Sequence, residues 1–250
     1  PMHVFPIGYE VLIMAHISIR NLTVEFKVYG SNARSLKKQL LSQATGGRIA
    51  SNANDAITVR ALDNVSLEIK HGERIGLAGH NGSGKTTLLR TLAGIYKPTG
   101  GTIEIEGSVG ALLDPSSGMD AEATGVENIY LRGYILGMTR KEIDSKVDEI
   151  SRFTELGKFL ELPVKTYSAG MFSRLGFAIS TAINPEILLV DEGIGTGDAA
   201  FREKVVARTQ AFISNANIAI FASHDQTFLQ DMGTSLISLE HGNIVEDLRI

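Results

Sequence analysis

The segment Gly79-His80-Asn81-Gly82-Ser83-Gly84-Lys85-Thr86 constrains this chain more than any other. It matches G-x-x-x-x-G-K-[ST] at every fixed position, follows the strand-like run Arg74–Ala78 and leads into a helical run, Thr86–Ala93. That strand–loop–helix setting gives the pattern its meaning. Glycines at 79, 82 and 84 let the backbone wrap an anion without Cβ clashes. Successive N–H groups of the loop, those of His80, Asn81 and Ser83 among them, then point inward. The helix N-terminus adds a favourable dipole. Lys85 supplies a point charge for β- and γ-phosphates, the Thr86 hydroxyl a ligand for Mg²⁺, and Thr87 completes the phosphate-binding set. Such a loop belongs to an α/β protein with buried strands. The continuous apolar runs Ile187–Val190, Ile218–Ala222 and Ser235–Leu239 suit a parallel sheet covered on both faces.

Composition narrows the reading further. With 250 residues, 43% hydrophobic and 21% charged, the chain can bury one large core or two small ones. Cysteine is absent, which excludes a disulfide scaffold, thiolate metal sites and cysteine nucleophiles. The net charge of −4 gives no support to a nucleic-acid binder. No apolar run approaches the ~20 residues that a membrane span needs. Glycine is over-represented, at 26 residues, and much of the surplus falls in the phosphate loop, at 170 and at 193–197.

Along the chain, residues 1–13 read as an upstream extension or mis-set start, with Met14 a natural beginning for a single domain over 14–250. Ile17 to Phe26 alternates as a strand, with one slip near Asn21. Residues 30–54 form a basic insertion, carrying Arg34, Lys37, Lys38 and Arg48, with Leu36, Leu40 and Leu41 at helical spacing and Gly46-Gly47 at its end. It is a solvated surface helix or a contact for acidic lipid headgroups. Val65–Ile69 with Arg74–Ala78, Thr102–Glu106 with Val109–Leu113, and the strands around Glu240-His241-Gly242-Asn243 are read as hairpins. Lys141–Leu160 has helical apolar spacing, and Phe172–Ile183 is a further helix.

Two more segments carry chemistry. Ile187–Val190 ends in Asp191-Glu192, which places Asp191 on Mg²⁺ and Glu192 beside a water near the γ-phosphate, as general base or water-orienting group. Tyr167-Ser168-Ala169-Gly170-Met171 opens a helix, where Ser168 alone would read as an N-cap.

The order phosphate loop, helical segment, Ser168-Ala169-Gly170, acidic strand and Ser223-His224-Asp225 resembles an ABC-type ATPase domain from about Met14 to the C-terminus. The resemblance implies an α/β P-loop NTPase with an antiparallel β subdomain and a helical signature subdomain at about 115–183. It implies that two copies bind ATP between them, with Ser168 and Gly170 contacting the γ-phosphate held by a second subunit. His224 becomes the switch histidine and Asp198 the D-loop aspartate. Departures accompany it. Tyr167–Met171 stands for Leu-Ser-Gly-Gly-Gln, Gly193 for the proline after the catalytic Glu, and Asp114 for the Q-loop glutamine, where an acid could hold Mg²⁺ through water. Phe26 and Tyr29 are the candidates for stacking on adenine.

These departures, with Phe26–Gly30, Arg34–Lys38, Ala123–Ile129 and Gly197–Phe201, resemble the ATP-binding subunits of bacterial exporters for O-antigen, capsule and teichoic-acid polymers. The short chain resembles members without a C-terminal carbohydrate-binding domain. That resemblance implies a homodimer, peripheral at the cytoplasmic face of the inner membrane. It also implies an integral membrane permease that handles a lipid-linked polysaccharide, and no nucleic acid. The alternative is a soluble, non-transport ABC ATPase acting on the ribosome or nucleic acid.

Overall fold

Two sheets share one core. A computed structural model describes residues 14–28, 49–51, 57–115, 117–191 and 199–249. Strands β1 (His16–Val28), β2 (Ile49–Ser51), β3 (Ile57–Lys70) and β5 (Gly100–Glu106) form an antiparallel sheet in the order β2-β3-β1-β5. Strands β4 (Arg74–Ala78), β6 (Val109–Leu112), β7 (Ile187–Val190), β8 (Ile218–Ala222), β9 (Ser235–Glu240) and β10 (Asn243–Arg249) form the second, in the order β10-β9-β4-β8-β7-β6. From β9 through β6 every pairing in this second sheet is parallel, and β10 returns antiparallel to β9.

Two expected hairpins are therefore corrected. β3 and β4 belong to different sheets, and so do β5 and β6. At each place a short glycine turn carries the chain from one layer to the other, while β3 and β5 both pair with β1. The third hairpin, β9–β10, is as the sequence suggests. The slip near Asn21 is a bulge: Asn21 has φ 50°, and the register of β1 shifts between Ile19 and Leu22.

The apolar runs of β7 and β8 explain the layering. Their residues alternate sides, so Ile187, Leu189, Ile218 and Ile220 enter one core with β1, β3 and helix α1 (Lys85–Leu92). Leu188, Val190, Ala219 and Phe221 enter a second core against α5 (Ala199–Asn215) and Leu229 of α6 (Gln226–Met232). A strand buried on both faces needs no polar alternation.

Between β6 and β7 the regular structure is helical: α2 (Gly125–Ile135), α3 (Arg140–Thr154) and α4 (Ala169–Ser180), with two short 3₁₀ turns at Gly157–Glu161 and Val164–Thr166. Thr124 and Thr139 start α2 and α3 with reciprocal capping boxes to Glu127 and Glu142. The run read as one helix over Lys141–Leu160 breaks at Glu155, which is left-handed at φ 57°. These helices pack on a core of their own around Ile129, Ile143, Ile150, Leu175 and Ile179. Of the basic insertion, Ile49–Ser51 is a strand that follows the expected helix, and that helix, with Arg34, Lys37, Lys38 and Arg48, lies outside the described residues, as do residues 1–13. Among the described residues no helix is long and apolar enough to cross a membrane.

Candidate active site

Four parallel neighbours, β4, β8, β7 and β6, end at the same edge of the sheet. Leu77 pairs with Ala222, Phe221 with Val190, and Val190 with Leu112, so the four C-terminal ends are level. Each end delivers one expected segment: the phosphate loop after β4, His224 after β8, Asp191 after β7 and Asp114 after β6. Ligands of open α/β sheets bind at such a carboxyl edge.

The loop has the conformation its glycines predict. Gly79, Gly82 and Gly84 have φ of 141°, 77° and 117°. A Cβ on Gly79 would lie 2.4 Å from the Leu239 carbonyl oxygen and 2.6 Å from Ser83 Oγ. A cleft of about 150 Å³ is lined by Ala61 and by Asn81, Gly82, Ser83, Gly84, Lys85, Thr86 and Thr87. Lys85 is only 6% exposed and its Nζ donates to the Gly79 carbonyl at 2.6 Å and the His80 carbonyl at 3.3 Å. Its ammonium is thus held at the rim of the loop, where a phosphate oxygen would compete for it.

The decisive contact joins two segments far apart in sequence. Thr86 Oγ1 donates to Asp191 Oδ1 at 3.2 Å, across 105 residues of sequence. Asp191 is 8% exposed, and its N–H donates to the Leu112 carbonyl at 3.2 Å. A hydroxyl and a carboxylate set side by side under a glycine loop are hard oxygen donors. They suit a small divalent cation that arrives with phosphates and keeps part of its water shell.

His224 is exposed after β8, between Ser223 and Asp225. Asp225 caps α6 by accepting from the Thr227 and Phe228 N–H groups, and Ser223 Oγ accepts from the Asp225 N–H at 3.0 Å. The flanking residues thus fix the turn that presents the histidine. Asp114 is exposed beyond β6. Ser168 N-caps α4, accepting from the Met171 N–H at 3.2 Å. A Cβ on Gly170 would approach nothing closer than Ser168 Oγ at 3.9 Å. Among the described residues nothing therefore demands glycine there. Neither residue lines the cleft of its own loop. Tyr29, Glu192 and Asp198 lie outside the described residues. Phe26 packs edge-to-face on Tyr96 with centroids 5.1 Å apart, half-buried against the core.

A model of the ABC transporter family matches residues 62–195, a span that holds the phosphate loop, Ser168 and Asp191 together.

The chain belongs to the ABC transporter family.

The cassette is 46% identical to the O-antigen export system ATP-binding protein RfbE of Yersinia enterocolitica, over 94% of this chain and 98% of that protein. It is 41% identical to RfbB of Myxococcus xanthus, also an O-antigen export system ATP-binding protein, over 76% of this chain and 43% of that one. It is 37% identical to the teichoic acids export ATP-binding protein TagH of Bacillus anthracis, over 92% and 40%. The cassette thus spans less than half of the last two relatives. Among solved structures, a dimeric post-hydrolysis state of an ATP-binding cassette bound to ADP and Pi matches with TM-score 0.67 at 21% identity, over 93% of this chain and 98% of that one. At that identity the likeness is one of fold.

The cassette also uses residues that no motif announces. The turn of β9–β10 braces the phosphate loop: the Gly242 N–H donates to the Ser83 carbonyl at 2.8 Å, and its carbonyl accepts from the Asp63 N–H at 2.9 Å. The His80 and His241 rings meet edge-on, 5.2 Å apart. Tyr167 donates its hydroxyl to the Phe159 carbonyl at 2.6 Å, and burial pushes its pKa up. A Cβ on Gly125 would fall 2.4 Å from that hydroxyl. Tyrosine where the family has leucine therefore anchors the start of α4 to the 3₁₀ turn Gly157–Glu161 and packs on Gly125 at the start of α2. Arg90 Nη1 donates to the Tyr96 hydroxyl at 2.9 Å, a bond that raises its pKa further against partial burial, with the charges of Asp191 and Asp114 also raising it. None of these contacts could be read from a motif, because each depends on how the fold brings its two partners together.

Proposed function

We propose that this cassette is the ATP-binding and ATP-hydrolysing subunit of an exporter for a bacterial cell-surface polysaccharide of the O-antigen or capsule class. The observation that carries the enzymatic half is the Thr86–Asp191 contact at 3.2 Å beneath the glycine loop. The names of the relatives support the transport half.

In this reading residues 79–84 enclose the β- and γ-phosphates with N–H groups, and Lys85 leaves the Gly79 carbonyl for a phosphate oxygen. Thr86 and Asp191 hold Mg²⁺, with Asp114 reaching it through water. The ion's chemistry is to neutralise phosphate charge as the terminal bond breaks. Thr87 supports the α-phosphate side, and Tyr29 stacks on adenine. Glu192 orients the attacking water and takes its proton, while His224 contacts the γ-phosphate.

A second copy completes the site. Ser168 of the partner subunit and Gly170 of the partner subunit add a hydroxyl and an N–H to the γ-phosphate, and Asp198 lies at the dimer seam. That assignment gives Gly170 its reason, since among the described residues of one chain nothing crowds a side chain there. Closure gains donors from both copies only while the γ-phosphate is intact, so hydrolysis reopens the dimer. A permease docks near Asp114–Leu136, where Leu131, Tyr134 and Ile135 are exposed. The cassette would then sit at the cytoplasmic face of the inner membrane and meet its lipid-linked polysaccharide only through that partner.

Glu192→Gln should keep ATP binding while turnover falls by about 10²–10⁴. Size-exclusion chromatography with light scattering should show an ATP-dependent dimer. Unchanged turnover would overturn the assignment of Glu192. For transport, deletion of the gene should leave the glycan accumulating in the cytoplasm. Copurification with ribosomes instead of a polytopic membrane protein would favour the non-transport reading.

A further inference from the structure

Against Pro115, the residue after Asp114, lies a buried cation that the phosphate chemistry does not use. Arg132, on α2, is 4% exposed. Its Nη1 donates to the Pro115 carbonyl and its Nη2 to Ser180 Oγ at 2.9 Å. Ser180 Oγ in turn donates to the Gly176 carbonyl on α4 at 2.9 Å. The Nε of Arg132 is buried with no hydrogen-bond partner among the described residues. The Pro115 carbonyl rests directly on Gly176, where a Cβ would come within 2.2 Å of it. One guanidinium therefore clips the segment after β6 to α2 and to the helix that Ser168 caps. Burial lowers its pKa to about 10, opposed by the charge of Asp114. The cation is thus bonded to the backbone of the residue that follows Asp114, the acid that stands where the family has glutamine.

We propose that Arg132 is a positioning residue that fits the site to an acid at 114. An amide at this position would bring no charge, whereas a carboxylate among γ-phosphate oxygens adds repulsion that a neighbouring cation offsets. Arg132 supplies that charge and, through Pro115 and Ser180, fixes where Asp114 stands relative to the start of α4. A guanidinium does both at once because its fork reaches two acceptors from a rigid plane. The inference rests on the reading of Asp114 as a ligand to the hydrated metal, and the test separates the two.

The test uses the full chain with Mg·ATP and measures kcat, KM for ATP and the Mg²⁺ concentration for half-maximal rate. Arg132→Leu should lower kcat about 10–100-fold, the range for groups that orient a metal ligand, and raise the Mg²⁺ requirement, with KM for ATP little changed. Arg132→Lys should recover part of the rate, since charge returns without the fork. Should Arg132→Leu fold poorly, Ser180→Ala serves as a second variant. It removes one acceptor, keeps the charge, and should lower kcat less while leaving the Mg²⁺ requirement unchanged. Asp114→Ala is the control. If it retains full activity, the reading of Asp114 fails. If it loses activity while Arg132→Leu keeps the wild-type kcat and Mg²⁺ requirement, the role of Arg132 alone fails. Arg132→Leu and Asp114→Asn should also combine less than additively, and full additivity would overturn the proposal.

Discussion

Gly79 carries a burden that its neighbours in the loop do not. Gly82 has open space where a Cβ would stand, but Gly79 combines φ 141° with a backbone oxygen 2.4 Å from that position. Alanine there must displace either the loop or β9, a strain of about 1–3 kcal/mol for the backbone alone. Gly79→Ala should therefore weaken binding of a fluorescent ATP analogue by about tenfold or more and lower the melting temperature, whereas Gly82→Ala should cost mainly its positive φ. Equal effects of the two would mean that the contact with Leu239 relaxes freely. Lys85 shows a related economy of position. The carbonyls that hold it, from Gly79 and His80, are part of the loop that the phosphate would fill, so its move on binding is short.

At the scale of elements, α2 and α3 owe their starts to local chemistry. In each, a threonine accepts from the N–H three residues on and a glutamate accepts a bond from the threonine's own N–H. Thr139→Ala should cost about 1 kcal/mol, or about 2–4 °C in melting temperature for a chain of this size. The same bonds set a pH dependence. Glu142 is held below its usual 4.5 by hydrogen bonds from the Thr139 hydroxyl and then the Thr139 N–H. Glu127 is held low by the N–H of Thr124 and then its hydroxyl. A carboxylate whose pKa is depressed in the folded state adds stability above its unfolded pKa and loses it as pH falls through the folded value. Thermal stability should therefore drop from about pH 5 downward. Thr124→Ala with Thr139→Ala should flatten that slope, and a slope identical to wild type would assign the acid sensitivity to other carboxylates.

For the whole molecule, the question is how the helices between β6 and β7 report to the sheet. Arg208 on α5 is one polar link. Its Nη1 pairs with Glu149 Oε1 at 2.7 Å, its Nε donates to Thr181 Oγ1 at 2.7 Å and its Nη2 to the Thr181 carbonyl at 3.1 Å. Its guanidinium also lies 4.8 Å from the Phe153 ring centroid. Beside it Lys204 pairs with Glu155, and Arg174 lies over Phe201 at 4.4 Å. Arg208→Ala should destabilise the chain by about 1.5–3 kcal/mol and speed hydrogen exchange in α3 and α4 more than in β7 or β8. Uniform exchange across the molecule would show instead that helices and sheet unfold as one unit. Since α5 follows directly on the segment holding Asp198, this link would also join the proposed dimer seam to the helices.

The phosphate loop, the acid after β7, the histidine after β8 and the capped helix at Ser168 were legible in the sequence because each is a contiguous motif whose chemistry is local. The layer structure was legible too, since β7 and β8 are apolar at every position and so must be covered twice. What the sequence misjudged were pairings: β3 with β4 and β5 with β6 are joined by short turns, yet hydrogen-bond to strands elsewhere. A turn fixes that the chain reverses, not which sheet receives it. Only the tertiary structure decided that β4, β8, β7 and β6 lie side by side, and with that order came the meeting of Thr86 and Asp191 across 105 residues. It alone also bonded Arg132 to Pro115 and Ser180, since a buried cation finds its partners through packing that no local pattern encodes.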